Sequence, residues 1–418
     1  MEFGLIGEHL GHSFSKEIHG KLMPDLPYEL REISREDLPA FLREAPFKAI
    51  NVTIPYKQDV IPYLSSISGE AQRIGAVNTI VKRPDGSLAG YNTDYYGFSE
   101  LAKRAGISLK GRKVLILGAG GAAKTVRAVA LDQGASEVRH ALRHPRSAED
   151  LQLGSIPSGN SFEIVINATP AGMYPDDGSA PVRASDFPCL EGALDLIYNP
   201  LRTNFILDAR AQGAKAEGGL YMLVAQAVRA SELFHSCCHL KGVTEEIFSS
   251  IAMAKGNIVL CGMPSSGKST IGQMLAERLG MGFTDTDELI TRREGRPIRD
   301  IFATRGEKVF RAIESQVISD ISRSLGCVIA TGGGAVLNQA NVHSLRRNGT
   351  IILIQRDPEL LLATPDRPLS SRREDLLRLL EERREAYLNA ADHIVSNNAS
   401  PGDCVRQIEQ CLQKTRKY

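Results

Sequence analysis

The sequence of 418 residues has almost no net charge: 50 Lys and Arg stand against 49 Asp and Glu, which leaves +1. A chain so balanced does not advertise a nucleic acid or an anionic membrane surface as its partner. Divided at Gly256, the count leaves roughly −2 before and roughly +3 after, so neither part is a basic module. No run approaches the ~18 apolar residues of a spanning helix. The opening residues, Met1-Glu-Phe-Gly-Leu-Ile-Gly, lack the basic and apolar regions of a secretory signal. There is no Cys-x-x-Cys pair, and the cysteines number 7; an odd set of scattered thiols suits a reducing compartment, and a cytoplasmic location is expected. His235-Ser-Cys237-Cys238-His239 suggests a metal at first sight, but its spacing fits no zinc pattern and reads as a helix face with soft side chains. Also missing are internal repeats, low-complexity tracts and a linker rich in Pro, Gly or Ser. A helix near 245–253 runs almost directly into a strand at Asn257, so the freedom between the halves is limited.

What is present is ordinary for a globular chain, 42% apolar and 24% charged, and long enough for two or three domains with full cores. Two glycine-rich turns of different kinds stand out. Val114-Leu-Ile-Leu-Gly118-Ala-Gly120-Gly121-Ala122 is a strand entering a Gly-x-Gly turn and a helix, a cradle for the pyrophosphate of a dinucleotide. Gly262-Met-Pro-Ser265-Ser266-Gly267-Lys268-Ser269-Thr270 follows a second apolar strand and wraps backbone N–H groups around a nucleoside triphosphate. One chain with both predicts a redox reaction and a phosphoryl transfer.

Residues 1–104 alternate short strands with helical runs, which implies βα units and an α/β fold. A second series covers 111–226: strands at 113–117, 137–141 and 164–166, a helix at 122–131, and helical spacing over 220–234. The expected division is a substrate domain at 1–104 joined by returning helices at 227–255, a Rossmann-type dinucleotide domain at 105–226, and a P-loop α/β domain with a parallel sheet at 256–418.

Reduction of a ketone needs a proton for oxygen as hydride reaches carbon. Lys57 follows a strand and a proline, and Asp94 lies in a Gly/Asn/Thr turn; a carboxylate beside an ammonium orients it for acid/base work. Asp94 is alternatively a turn-capping side chain, and Lys57 a surface lysine. Ser13 and Ser15 are two apart, so an extended segment turns both hydroxyls one way, toward a substrate carboxylate; a simple helix cap is the other reading. After the second strand of the dinucleotide unit, Arg139-His-Ala-Leu142-Arg143-His144-Pro-Arg146 holds three arginines and no carboxylate, which favours NADPH over NADH.

In the other half, Lys268 would reach the β- and γ-phosphates and Ser269 would hold Mg²⁺. Asp285-Thr-Asp287 ends a strand, and alternation would point both carboxylates to one face, one for the metal and one for a hydroxyl proton. Arg311 reads either as an ion-pair partner of Glu307 and Glu314 or as a bidentate clamp for a carboxylate. Gly332, Gly333 and Gly334 end another strand and let backbone approach a ring. Ala363-Thr-Pro-Asp-Arg367 looks like a lid whose Arg367 would cover the phosphates.

Six motifs in order carry a resemblance. Residues 1 to about 255 resemble shikimate dehydrogenase in His12-Ser13-Phe14-Ser15-Lys16, Asn51-Val-Thr53-Ile-Pro-Tyr-Lys57, Gly75-Ala-Val-Asn78-Thr79, Gly90-Tyr-Asn92-Thr93-Asp94, Asn167-Ala-Thr169-Pro-Ala-Gly172-Met173 and Gly219-Leu-Tyr-Met222-Leu-Val-Ala-Gln226. The resemblance implies Lys57 as catalytic acid/base with Asp94. It gives substrate contacts to Ser13, Ser15, Asn51, Thr53, Asn78, Thr93, Tyr198 and Gln226. It gives NADPH contacts to Gly118, Gly120, Gly121, Ala122, Arg143, Arg146, Asn167, Thr169 and Gly219. Leu142 and His144 depart from it, standing where the family usually shows Asn and Thr. Residues 256–418 resemble shikimate kinase. That implies ATP on Gly262, Ser265, Ser266, Gly267, Lys268, Ser269, Thr270 and Arg367, and Mg²⁺ near Ser269 and Asp285. Asp287 would hold the acceptor and act as base, Lys268 would serve catalysis, and Arg311, Gly333, Gly334 and Arg383 would bind the substrate; neighbouring Arg384 competes for the last place.

The expected function is NADPH-dependent reduction of 3-dehydroshikimate followed by phosphorylation of shikimate by ATP, both on one oxygen, in a monomer or homodimer. Two other readings stay open: a quinate dehydrogenase joined to a kinase for another alcohol, and a chain in which one half only senses ligand.

Overall fold

The structure is a computed structural model that describes residues 1–11, 13–361 and 372–415. The chain divides into two compact units, Met1–Ile251 and Ala252–Tyr418. Among the described residues the strands form three sheets, two in the first unit and one in the second.

The first sheet contains β1 (Phe3–Gly7), β2 (Tyr28–Glu32), β3 (Ala49–Val52), β4 (Ser66–Ile67), β5 (Thr79–Lys82) and β6 (Leu88–Tyr91), in the order β2-β1-β3-β5-β6-β4. β1 pairs in parallel with β2 and β3, whereas β5 runs antiparallel to both β3 and β6. The second sheet contains β7 (Lys113–Leu117), β8 (Glu137–Leu142), β9 (Leu151–Gln152), β10 (Ile164–Asn167), β11 (Gly192–Asp195) and β12 (Lys215–Glu217). Its order, β12-β11-β10-β7-β8-β9, is parallel throughout and doubly wound. Helices cover both faces of such a sheet, which explains why Val114 to Leu117 form an unbroken, fully buried apolar run. The chain reverses direction between β7 and β10, and ligands of such sheets sit beyond the strand ends at that point.

The helix Gly121–Asp132 turns Ala123, Val126, Val129 and Ala130 inward at helical spacing. Two further helices, Thr93–Arg104 and Leu220–His235, pack at backbone distance. A Cβ on Gly97 would lie 2.7 Å from the Met222 carbonyl, so only glycine lets the helices come this close. That contact brings Asp94 and Gln226 to the same cavity.

The second unit holds β13 (Asn257–Cys261), β14 (Gly282–Asp285), β15 (Cys327–Ala330), β16 (Gly349–Gln355) and β17 (His393–Ser396) in the order β14-β15-β13-β16-β17, all parallel. β13 is central and wholly buried, and the triphosphate-type loop leaves its end. The long helix Ile298–Ile321 is broken at Gly306, whose φ of 76° and ψ of 168° are not helical.

Three local expectations change. Asp285 does end a strand, but Asp287 lies in the first turn of the helix Thr286–Glu294, because the Asp285 carboxylate caps that helix by accepting the Asp287 N–H at 2.9 Å. Strand alternation therefore stops one residue too early to align the two side chains. Asp94 lies in the first turn of Thr93–Arg104 and not in an open turn; the cap is Asn92, whose side chain accepts from Tyr95 N. Between Ser13 and Ser15 the chain is not extended: Phe14 has φ −80° and ψ −2°, and Ser13 Oγ accepts the Ser15 N–H at the start of the helix Ser15–Leu22.

Candidate active sites

In the first unit a cavity of about 430 Å³ opens between the two sheets' strand ends. Lys57 and Asp94 meet there, Nζ to Oδ2 at 2.6 Å, with side chains 19% and 12% exposed. Asp94 owes its place to the helix N-terminus, where the helix dipole favours a carboxylate. Ser13, Ser15, Asn51, Thr53 and Asn78 line one part of the wall; Ala122, Tyr198, Gly219 and Gln226 line another. Tyr198 packs against Phe14 at 5.1 Å, and burial raises its phenol. Thr93 stands behind this wall: its N–H donates to Asn78 Oδ1 at 2.7 Å and its hydroxyl to Gln226 Oε1 at 3.2 Å.

The glycine cradle lies where the second sheet reverses. A Cβ on Gly118 would sit 3.1 Å from the Ala168 carbonyl and 3.0 Å from the Thr169 methyl, and Gly118 has φ +103°. Gly120 and Gly121 face open space at the start of a helix whose first turn has no acidic side chain, so its N–H groups and positive end are available to an anion. Asn167 does not face that space. It is fully buried, donating to both Asp195 oxygens at 3.1 Å and accepting from Thr169 N and Oγ1. Its amide holds the loop shape, and Thr169 is tied to it. Gly219 packs so tightly on the Leu196 backbone that no Cβ would fit. Arg143 and Arg146 are exposed on the loop after β8. Arg139 instead donates to the Glu149 carbonyl. A carboxylate does occur on this loop, on Asp150, but it is held by the Arg146 and Ser147 N–H groups, which lower its pKa.

In the second unit a cavity of about 410 Å³ is lined by Ser265, Gly267, Lys268, Ser269 and Thr270 on one side. Asp285, Asp287, Arg311, Gly333, Gly334 and Arg383 face them. Gly262, at φ +142°, would put a Cβ 2.5 Å from the Ile354 carbonyl; Gly267, at φ +96°, would put one 2.5 Å from Asn397 Nδ2. Ser266 is buried beneath the loop, where its carbonyl accepts from Asn397 at 2.8 Å. Lys268 donates to the Gly262 and Met263 carbonyls at 3.0 and 2.8 Å. Ser269 Oγ lies 2.6 Å from Asp285 Oδ2, a pair of hard oxygens of the kind Mg²⁺ prefers.

Arg311 makes the expected ion pairs and also lines this cavity. It pairs with Glu314 at 2.8 Å and Glu307 at 3.1 Å while its guanidinium faces the cavity. Of the competing arginines, Arg383 is buried and donates to the Gly333 carbonyl at 3.1 Å, whereas Arg384 is exposed. Tyr387 OH donates to the same carbonyl. Arg367, with the lid expected around it, and His12 lie outside the described residues.

Several lining or supporting groups were given no site role by the sequence. Arg356 reaches the cavity from beyond β16 and donates to the Ser265 carbonyl at 3.3 Å. Glu314 is 1% exposed, and burial pushes its carboxyl up although Arg311 opposes this. Tyr28 and Thr79 hold the first cavity's amides from behind.

Comparison with known proteins finds two families in succession along the chain. The shikimate dehydrogenase substrate binding domain model matches residues 5–80, and the shikimate kinase model matches residues 264–413. The NADP⁺-dependent shikimate dehydrogenase of Clostridium perfringens is 39% identical over 265 residues, which is 60% of this chain and 97% of that one. Among solved structures, a chorismate mutase/shikimate 5-dehydrogenase fusion protein from Clostridium acetobutylicum superposes with a TM-score of 0.56 at 35% identity, covering 59% of this chain and 96% of its own. Shikimate 5-dehydrogenase from Thermus thermophilus, solved with NADP(H) and shikimate, gives 0.53 at 33% identity, covering 60% and 99%. The chain thus belongs to the NADP-dependent shikimate dehydrogenase family and carries, over 264–413, an ATP-using shikimate kinase domain.

Proposed function

We propose that this single chain performs two consecutive reactions on one oxygen of one ring: NADPH-dependent reduction of 3-dehydroshikimate, then ATP-dependent phosphorylation of the 3-hydroxyl so formed. The observation that carries the reading is that each unit joins an anion cradle to an acid/base group at one cavity: Lys57 with Asp94 in the first, Asp287 with the Lys268 loop in the second.

Gly118, Gly120, Gly121 and Ala122 would hold NADPH, with Arg143 and Arg146 toward its 2′-phosphate, and the bound cofactor would supply hydride. The Lys57 ammonium, oriented by Asp94, gives the carbonyl oxygen its proton. Ser13 and Ser15 hold the substrate carboxylate, and Asn51, Thr53, Asn78, Tyr198 and Gln226 read the ring. In the kinase, the loop from Gly262 to Thr270 takes the ATP phosphates, and Lys268 balances charge on the transferred group. Ser269 and Asp285 would hold Mg²⁺, which would supply positive charge to the phosphates. Asp287 takes the acceptor's proton while Arg311 and Arg383 grip the carboxylate. Gly333 and Gly334 admit the ring.

Three domains are proposed, at 1–104 with returning 227–255, at 105–226, and at 256–418. The separate sheets within Phe3–Tyr91, Lys113–Glu217 and Asn257–Ser396 support this division. A monomer or homodimer without nucleic acid is proposed, in the cytoplasm. No helix among the described residues is long and apolar enough to cross a membrane.

The test separates the sites. Lys57→Ala is expected to reduce NADPH oxidation by at least ~100-fold and leave ADP formation from shikimate intact; Lys268→Ala is expected to do the reverse. If either variant kept its own step, or lost both, the assignment would fail.

A further inference from the structure

The amides of the first cavity are oriented by backbone groups of fixed polarity. Asn51 Nδ2 lies 3.3 Å from the Asn78 carbonyl, which can only accept, so the atom there must be the nitrogen. Asn78 Oδ1 takes the Thr93 N–H at 2.7 Å, and Gln226 Nε2 donates to the Leu223 carbonyl at 2.9 Å. Asn51 Nδ2 donates its other hydrogen to Thr79 Oγ1 at 3.1 Å, while the Thr79 and Thr93 hydroxyls, 3.2 Å apart, share Asn78 Oδ1 and Gln226 Oε1 as acceptors. Both Nδ2 hydrogens of Asn51 are therefore spent within the protein, and Asn51 meets the cavity as an acceptor only.

One donor fixes that acceptor from behind. Tyr28 OH donates to Asn51 Oδ1 at 2.8 Å. Tyr28 is 4% exposed and does not line the cavity. Its ring lies flat on His19, centroids 4.0 Å apart at 6°, so the hydroxyl has no freedom to swing away. Burial also raises the phenol well above its ordinary range, which keeps the proton in place.

We propose that Tyr28 is a positioning residue of the dehydrogenase: its hydroxyl anchors the Asn51 amide oxygen at the cavity wall, where that oxygen accepts a hydrogen bond from a substrate ring hydroxyl. This rests on the reading that the cavity takes a cyclic hydroxy acid. A hydrogen bond between two buried neutral groups is lost in Tyr28→Phe with little change of shape.

The experiment is steady-state reduction of dehydroshikimate by the full chain carrying Tyr28→Phe, Asn51→Ala, or both, with NADPH affinity and thermal midpoint measured on each. Tyr28→Phe is expected to raise KM for dehydroshikimate about tenfold with kcat within about twofold. NADPH affinity should be unchanged. In the Asn51→Ala background the second change is expected to add less than about twofold, because its partner is already gone. A KM within about twofold of the parent's, or a tenfold rise that persists without Asn51, would overturn the proposal. So would loss of NADPH affinity in step with substrate affinity, which marks a merely structural tyrosine. If Asn51→Ala itself left KM unmoved, the reading of the cavity would fall first, and the proposal with it.

Discussion

Two buried titratable side chains in the first unit pull stability in opposite directions with pH. Burial lifts the Asp195 carboxyl to about 6, although Thr203, the Ile197 N–H and Asn167 all donate to it. Burial drops His19 to about 3, with the Asn51 side chain pulling the other way. A carboxyl that holds its proton more tightly when folded contributes stability fully below about pH 4, and this is lost as pH rises through 6. A histidine that resists protonation when folded contributes above about pH 6.5, and this is lost as pH falls toward 3. Between pH 4 and 6 the slopes oppose. The urea midpoint, followed by tyrosine fluorescence because most tyrosines lie before residue 251, is expected to fall with rising pH in His19→Gln. In Asp195→Asn it should climb more steeply than in the parent. Midpoints that track the parent's in both variants would contradict these placements. Neither group was legible as special in the sequence: His19 sits in an ordinary helical run, and Asp195 ends a strand with no motif around it. Lys57 and Asp94 were legible because their motifs are dense, and the 2.6 Å contact between them follows from a pair of residues 37 apart.

At the level of elements, Gly334 has a packing reason that its sequence reading, approach to a ring, did not give, and the acidic pair was read from the wrong element. A Cβ on Gly334 would lie 2.5 Å from Arg311 Nη2 and 2.6 Å from its Cζ. The loop after β15 and the helix carrying Arg311 are thus spaced by the missing side chain. Gly334→Ala is expected to displace the guanidinium and raise KM for shikimate in phosphoryl transfer by about tenfold or more, with KM for ATP changed far less and NADPH oxidation unaffected. An unaltered KM for shikimate would show that Arg311 does not contact it. Asp287 was placed on a strand because alternation was carried past Asp285; yet an Asp followed by Asp287 and Glu288 is itself a helix-start signal. Tyr28 was missed because Tyr-Glu-Leu-Arg-Glu reads as an edge strand with one buried residue, and nothing local says that its hydroxyl reaches Asn51. Arg356 belongs to no motif and reaches its cavity only because β16 runs beside the loop strand β13.

For the molecule as a whole, the fold was readable because two of the three sheets are announced by an apolar strand and glycine turn, and the first by alternating short strands and helical runs. What sequence could not supply was the support behind each cavity, since Asn397, Thr79 and Tyr28 act across separations that only the folded chain closes. The central claim is that the product of one unit is the substrate of the other, in that order. The most direct measurement follows NADPH oxidation and ADP release together when the intact chain is given dehydroshikimate and ATP. The account predicts no ADP above background until NADPH is added, and then one ADP for each NADPH consumed. ADP release from dehydroshikimate without NADPH, or NADPH oxidation with no ADP following it, would contradict it.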